Sequence, residues 1–154
     1  MKKGLIYFCL FISFASQAQE AKEISWLTFE ELEVKLNEKP QKTFIYFFTD
    51  WCMYCKKMDW NAFKNEAVKN QLAEKYYAVK LNAETKEPIL FDGQIFKNKN
   101  EGRIAYHELA LLLGSRKNKA FSVPVILVLD ENFKVEKRIF HYLTSKDLLA
   151  LLTD

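Results

Sequence analysis

Thr43-Phe44-Ile45-Tyr46-Phe47-Phe48-Thr49-Asp50-Trp51-Cys52-Met53-Tyr54-Cys55-Lys56 is the stretch on which the fold turns. Its first six residues are apolar, aromatic or β-branched with no polar alternation, the pattern of a strand buried on both faces. Thr49-Asp50-Trp51 breaks the run, and the segment from the cysteines to about Trp60 reads as helical. A buried strand feeding a helix that opens with Cys-x-x-Cys sets two thiols at a helix start, a placement that favours redox chemistry.

Upstream, Thr28-Phe29-Glu30-Glu31 has the spacing of a capping box, and Phe29, Leu32 and Leu36 recur at helical intervals, so a first helix ends near Asn37. Downstream, Asn65 caps a helix carrying Val68 and Leu72, and Tyr76 to Leu81 reads as a strand. Helix, strand, helix, strand favours a parallel arrangement. The segment from about Ala83 to Arg103 interrupts it, with two apolar stretches flanking Asp92-Gly93 as in a tight hairpin. This hairpin either selects partners or covers a sheet edge. A helix from about Ile104 to Leu113 ended by Gly114, a buried strand from Val123 to Asp130, a strand from Phe133 to Phe140 and a helix capped by Thr144-Ser145 complete the chain.

With 154 residues, 49% of them hydrophobic, the chain suffices for one domain with a real core. Residues 1–18 read as a signal peptide, and residues 19–154 as the domain. Lys2 and Lys3 precede an apolar run from Leu5 to Phe14, and Ser16 and Ala18 supply the small residues of a cleavage site after Ala18. The run is shorter than the roughly 20 residues of a spanning helix, and a retained N-terminal anchor is the alternative. The expected location is periplasmic or secreted. Of 23 basic side chains two fall in this segment, and none of the 20 acidic ones does, so the domain is nearly neutral. That excludes a broad nucleic-acid surface, which needs a clustered basic excess.

Cys9 lies within the signal segment, which leaves Cys52 and Cys55 as the cysteines of the domain. A disulfide closing so short a loop stabilises little, so the pair serves chemistry or a metal. Zinc needs two further ligands, and His107 and His141 stand at no familiar ligand spacing. A thiol at a helix N-terminus ionises readily, which makes Cys52 the nucleophile. Cys55, three residues on, is the resolving thiol that attacks a mixed disulfide on Cys52. Lys56 and Lys57 favour the thiolate and Asp50 opposes it. Trp51 either shields the disulfide and meets substrate or packs in the core. His107 faces the site or, more commonly for such a residue, the solvent.

Through the apolar strand, Trp51-Cys52-x-x-Cys55-Lys56 and Pro124 opening a later strand, the chain resembles the thioredoxin superfamily. Thr49-Asp50-Trp51-Cys52 with Lys56, Lys57, Met58 and Phe63 looks like its bacterial periplasmic branch, which includes the C-terminal domain of DsbD-type thiol:disulfide interchange proteins. The stretch from Gly102 to Ala110 is similar to secreted members of that branch. The resemblance implies an α/β fold, a three-layer α/β/α sandwich with a central mixed sheet and an inserted β-hairpin. It also implies a cis Val123-Pro124 bond beside the cysteines, where the Val123 backbone pairs with an extended substrate; an ordinary trans proline is the alternative. Many thioredoxins carry a buried carboxylate six residues before the first cysteine, where this chain has Tyr46.

The function expected is thus a protein-disulfide oxidoreductase, needing no cofactor and no metal, that reduces exported proteins. Its partners would be protein dithiols and disulfides, with a membrane electron donor of the DsbD type, and it would act as a monomer. A thioredoxin-fold module that binds copper or a client protein without turnover is the competing expectation.

Overall fold

Thr43–Phe48 forms the central strand, β2, in a computed structural model that describes residues 22–99, 102 and 105–153. Its side chains alternate between two packed faces: Phe44 and Tyr46 enter one hydrophobic cluster, Ile45 and Phe47 the other. A strand covered on both sides has no solvent face to mark with polar residues, which is why its sequence shows no alternation. Val125–Leu129, β6, is buried throughout for the same reason and lies antiparallel to β2.

On the other side of β2 lies Tyr77–Asn82, β3, parallel to it and followed by the edge strand Trp26–Leu27, β1. Val135–Ile139, β7, closes the opposite edge, so the order is β1-β3-β2-β6-β7 and the five-stranded sheet is mixed. One face carries Met53–Lys57 (α2), the π-helical turn Met58–Ala62, Glu66–Lys75 (α3) and Ser145–Thr153 (α5). The other carries Phe29–Glu38 (α1), Glu108–Gly114 (α4) and the hairpin of Ile89–Phe91 (β4) with Gln94–Phe96 (β5). The result is the expected three-layer sandwich with its inserted hairpin.

Local chemistry sets the element ends. The Thr28 hydroxyl accepts the Glu31 N–H at 3.2 Å while the Glu31 carboxylate accepts the Thr28 N–H at 2.8 Å. Asn65 caps α3 by accepting the Val68 N–H at 3.2 Å, and Thr144 does the same for Asp147 at the start of α5. Asp92 and Gly93 both take positive φ, 51° and 67°, as a two-residue hairpin turn requires.

Several expectations change. The signal-peptide residues 1–18, Arg103 and Ile104, the expected start of the fourth helix, lie outside the described residues. Among those described, α4 opens only at Glu108, because the His107 N–H is held by the Ala83 carbonyl at 2.7 Å and His107 becomes the cap. Gly114 is the last residue of that helix rather than a left-handed stop. A Cβ there would sit 3.0 Å from the Phe121 ring and 3.3 Å from Val125, so the position is small for packing. The last strand starts at Val135, not Phe133. The Asp130 carboxylate binds the N–H groups of Asn132 and Lys134 and holds Phe133 at φ 60° in a turn. The hairpin is a sheet of its own, not hydrogen-bonded to the main one; it packs on α1, with Phe91 5.2 Å from Phe29 and the Leu90 N–H donating to Glu30.

The π turn after α2 was not foreseen. The Phe63 N–H reaches back five residues to the Met58 carbonyl at 3.0 Å, and the ring drops into the first cluster. There its centroid lies 5.2 Å from Trp26 and 5.0 Å from Tyr46. The helix bearing the cysteines is thereby pinned to the sheet.

Candidate active site

β2 delivers the chain to the site, and Asp50 fixes the loop that follows by accepting a hydrogen bond from Asn82 Nδ2 at the end of β3, 3.0 Å away. The Cys52 N–H donates to the Thr49 carbonyl at 3.2 Å, which turns the backbone into α2. Cys52 is the N-cap of that helix, and its sulfur accepts the Cys55 N–H at 3.1 Å. A backbone donor already aimed at Cys52 Sγ would also favour a thiolate there. Cys52 and Cys55 are joined as a disulfide, with Cα atoms 5.2 Å apart. Both are buried, Cys55 at 1% and Cys52 at 5% exposure.

Pro124 is buried immediately before β6, and the Val123–Pro124 bond is cis, as the resemblance implies. Its position follows from register: Val125 pairs with Phe47, one residue from the end of β2. Val123 packs against the cluster that contains both cysteines. Trp51 is 55% exposed and its indole N–H donates to Glu84 at 3.0 Å, which removes the core-packing alternative. Met53 and Tyr54 on α2 and Trp60 on the π turn are likewise exposed. Lys56 is exposed, and the Lys57 ammonium lies 4.9 Å from the Tyr142 ring centre.

Tyr46 is fully buried, and its hydroxyl has no hydrogen-bond partner. Burial, and secondarily the negative charge of Asp59, push the phenol far above its ordinary range, so it stays neutral and accepts no proton from a thiol. Sequence reasoning missed what surrounds it. Lys80 stands opposite Tyr46 in the β2–β3 register, with its ammonium 4.6 Å from the Phe48 ring and 2.7 Å from an Asp59 oxygen. Asp59 lines, with Thr49, Asp50, Cys55 and Lys56, an open cleft of about 300 Å³. The one sequence signal was the spacing of Asp59, four residues after Cys55.

His107 is not at the surface; it is wholly buried, and Nδ1 accepts the Leu109 N–H at 3.3 Å to cap α4. Nε2 makes no hydrogen bond of good geometry, although the carbonyls of Glu87 and Phe96 lie close enough to favour the charged ring. Burial outweighs them and lowers the pKa, with Glu108 and Glu30 acting weakly the other way. The folded state therefore holds neutral imidazole, and its stability falls as pH drops below the unfolded value of about 6.5. Urea midpoints are expected to decrease between pH 7.5 and 5.5 in the wild type, and clearly less in His107→Asn, which keeps a capping side chain. An equal decrease in both would place the acid-labile group elsewhere.

His141 is exposed, with Asp147 as an electrostatic neighbour. Among the described residues no three His, Cys, Asp or Glu side chains converge as a metal site, and no helix is long and apolar enough to cross a membrane.

The family model of a thioredoxin-like domain matches residues 29–154. Among solved structures, a putative disulphide-isomerase from Bacteroides thetaiotaomicron is similar at 20% identity, with 87% of this chain and 93% of that one covered and a TM-score of 0.57. A thioredoxin from Thermus thermophilus gives 16% identity, coverages of 86% and 85%, and a TM-score of 0.59. The reduced C-terminal domain of DsbD from Neisseria meningitidis gives 15% identity, coverages of 79% and 88%, and a TM-score of 0.51. At these identities the likeness is one of fold. A comparison with curated proteins finds no match.

Proposed function

The chain belongs to the thioredoxin-like domain family, and from that premise we propose that it is an exported thiol-disulfide oxidoreductase that reduces disulfides in other exported proteins. The observation that carries the reading is the disulfide itself: Cys52 caps a helix at the mouth of the site, Cys55 lies behind it, and the cis Val123–Pro124 bond opens the strand paired with β2.

Cys52 thiolate attacks a substrate disulfide, forming a mixed disulfide and releasing one substrate thiol. Cys55 then attacks Cys52 Sγ, releases the second thiol and leaves the pair oxidised. Trp51 and the Val123 backbone flank the bound peptide, and Lys56 favours the thiolate. A membrane dithiol donor of the DsbD type returns the two electrons, and the protein works as a monomer in the periplasm or outside the cell. The signal-like sequence of residues 1–18 supports that location.

Purified protein is expected to accelerate the reduction of insulin disulfides by dithiothreitol. Tight stoichiometric metal binding without turnover would overturn the reading in favour of a binding module. Equilibration with glutathione sets the direction, since a potential near about −270 mV marks a reductant and one near about −120 mV an oxidant.

A further inference from the structure

We propose that the cavity between the inserted hairpin, α1 and α4 is a binding site for a small amphipathic amine, with its apolar body inside and its cationic end at the Glu33 and Asp92 carboxylates. The site goes beyond the thiol chemistry and does not rest on it. Its apolar walls belong to the cluster on the face of the sheet opposite the one that holds both cysteines. The cavity has a volume of about 440 Å³, within the roughly 300–1,000 Å³ of small-molecule sites.

Those walls come from separate parts of the chain. α1 supplies Leu36, α4 supplies Leu109 and Leu113, the hairpin Phe91 and Phe96, and the turn before β7 Phe133. Leu109 is buried, whereas the others are covered only in part. Leu112 adds an apolar side chain that is 65% exposed. Phe133 is held at the cavity at a backbone cost. Its φ of 60° is unfavourable for an aromatic residue, and the Asp130 carboxylate fixes the turn that imposes it. Outliers of this kind collect where a side chain must be presented to a ligand. Here the ring lines the cavity and meets Phe91 with 5.4 Å between centroids.

The polar groups around this apolar interior set the charge of the occupant. Glu33 and Asn37 stand on α1, Asp92 and Gln94 on the hairpin. Among the described residues their side chains take part in no hydrogen bond or ion pair, and no lysine, arginine or histidine lines the cavity. Two unengaged carboxylates beside an apolar cavity attract a protonated amine and repel a carboxylate or a phosphate. The Asn37 and Gln94 amides add carbonyl acceptors for ammonium hydrogens. An ammonium group joined to an alkyl or aromatic body satisfies both halves of the site.

Titration of the oxidised, isotope-labelled protein with octylammonium chloride and, separately, with sodium octanoate tests the site through the backbone amide signals in NMR spectra. Octylammonium is expected to saturate, to move the signals of Leu36, Phe91, Leu112 and Phe133, and to bind about tenfold or more tightly than octanoate. Added salt should narrow that gap. In the double variant Glu33→Gln, Asp92→Asn the side chains keep their size, and asparagine tolerates the positive φ of position 92. There the preference should fall below about threefold, because the charge that sets it is gone. Octanoate binding as tightly as octylammonium, a preference that survives in the double variant, or shifts centred on Trp51 and Cys52 would each overturn the site. Shifts that never saturate would do the same.

Discussion

Cys52→Ser is expected to lower disulfide reduction by roughly a thousandfold or more, because a serine hydroxyl does not ionise near neutral pH and is a poor nucleophile toward sulfur. Nothing nearby can substitute. Cys55 is the more deeply buried of the two cysteines and lies within the helix that Cys52 caps. Cys55→Ser should behave differently in kind. The outer thiol still attacks, yet no resolving thiol follows, so mixed disulfides with partners accumulate and appear on non-reducing gels. The pair of variants therefore reads out role as well as rate. Adducts on Cys52→Ser and none on Cys55→Ser would reverse the assignment, and equal activity of both with the wild type would remove the cysteines from the chemistry altogether.

Phe63→Ala is the second large effect, expected on stability rather than chemistry. The ring is 5% exposed and touches β1 through Trp26 and β2 through Phe44 and Tyr46. Removing a buried phenylalanine typically costs about 3–5 kcal/mol, the lost transfer energy plus an unfilled cavity. A domain of this size is stable by only about 5–15 kcal/mol, so the change consumes a large share of the total. Urea unfolding of the oxidised protein followed by circular dichroism measures it. Because the same residue ends the π turn, the local loss falls on the helix that carries the cysteines. A change below about 1 kcal/mol would mean that the turn is anchored by other contacts.

Much of the architecture was legible because single residues carried unambiguous local signals. The β2 and β6 runs announced strands covered twice over, Thr28 and Glu31 marked a helix start, and Asp92-Gly93 marked a hairpin, each through chemistry that acts within a few residues. What escaped depends on distant parts meeting. Trp26–Leu27 is too short to show a period and becomes a strand only because β3 offers it an edge. His107 looks like any polar residue before a helix, and its burial follows from the Ala83 carbonyl 24 positions earlier in the chain. The π turn has no composition of its own; it exists because Phe63 must point inward. The candidate site divides in the same way. Cys52 and Cys55 announced themselves by spacing and Pro124 through the family resemblance, whereas the Asp59–Lys80 ion pair joins residues 21 apart, one on the π turn and one on β3, which only the folded chain brings together.

The hairpin lies across the sheet from the disulfide, and its turn at Gly93 opens into free space. That makes Asp92-Gly93 a natural attachment point. A fluorophore, an affinity handle or a link to an electrode placed there would sit across the sheet from the cysteines, so the protein could be immobilised and the proposed electron exchange tested with the disulfide side left free.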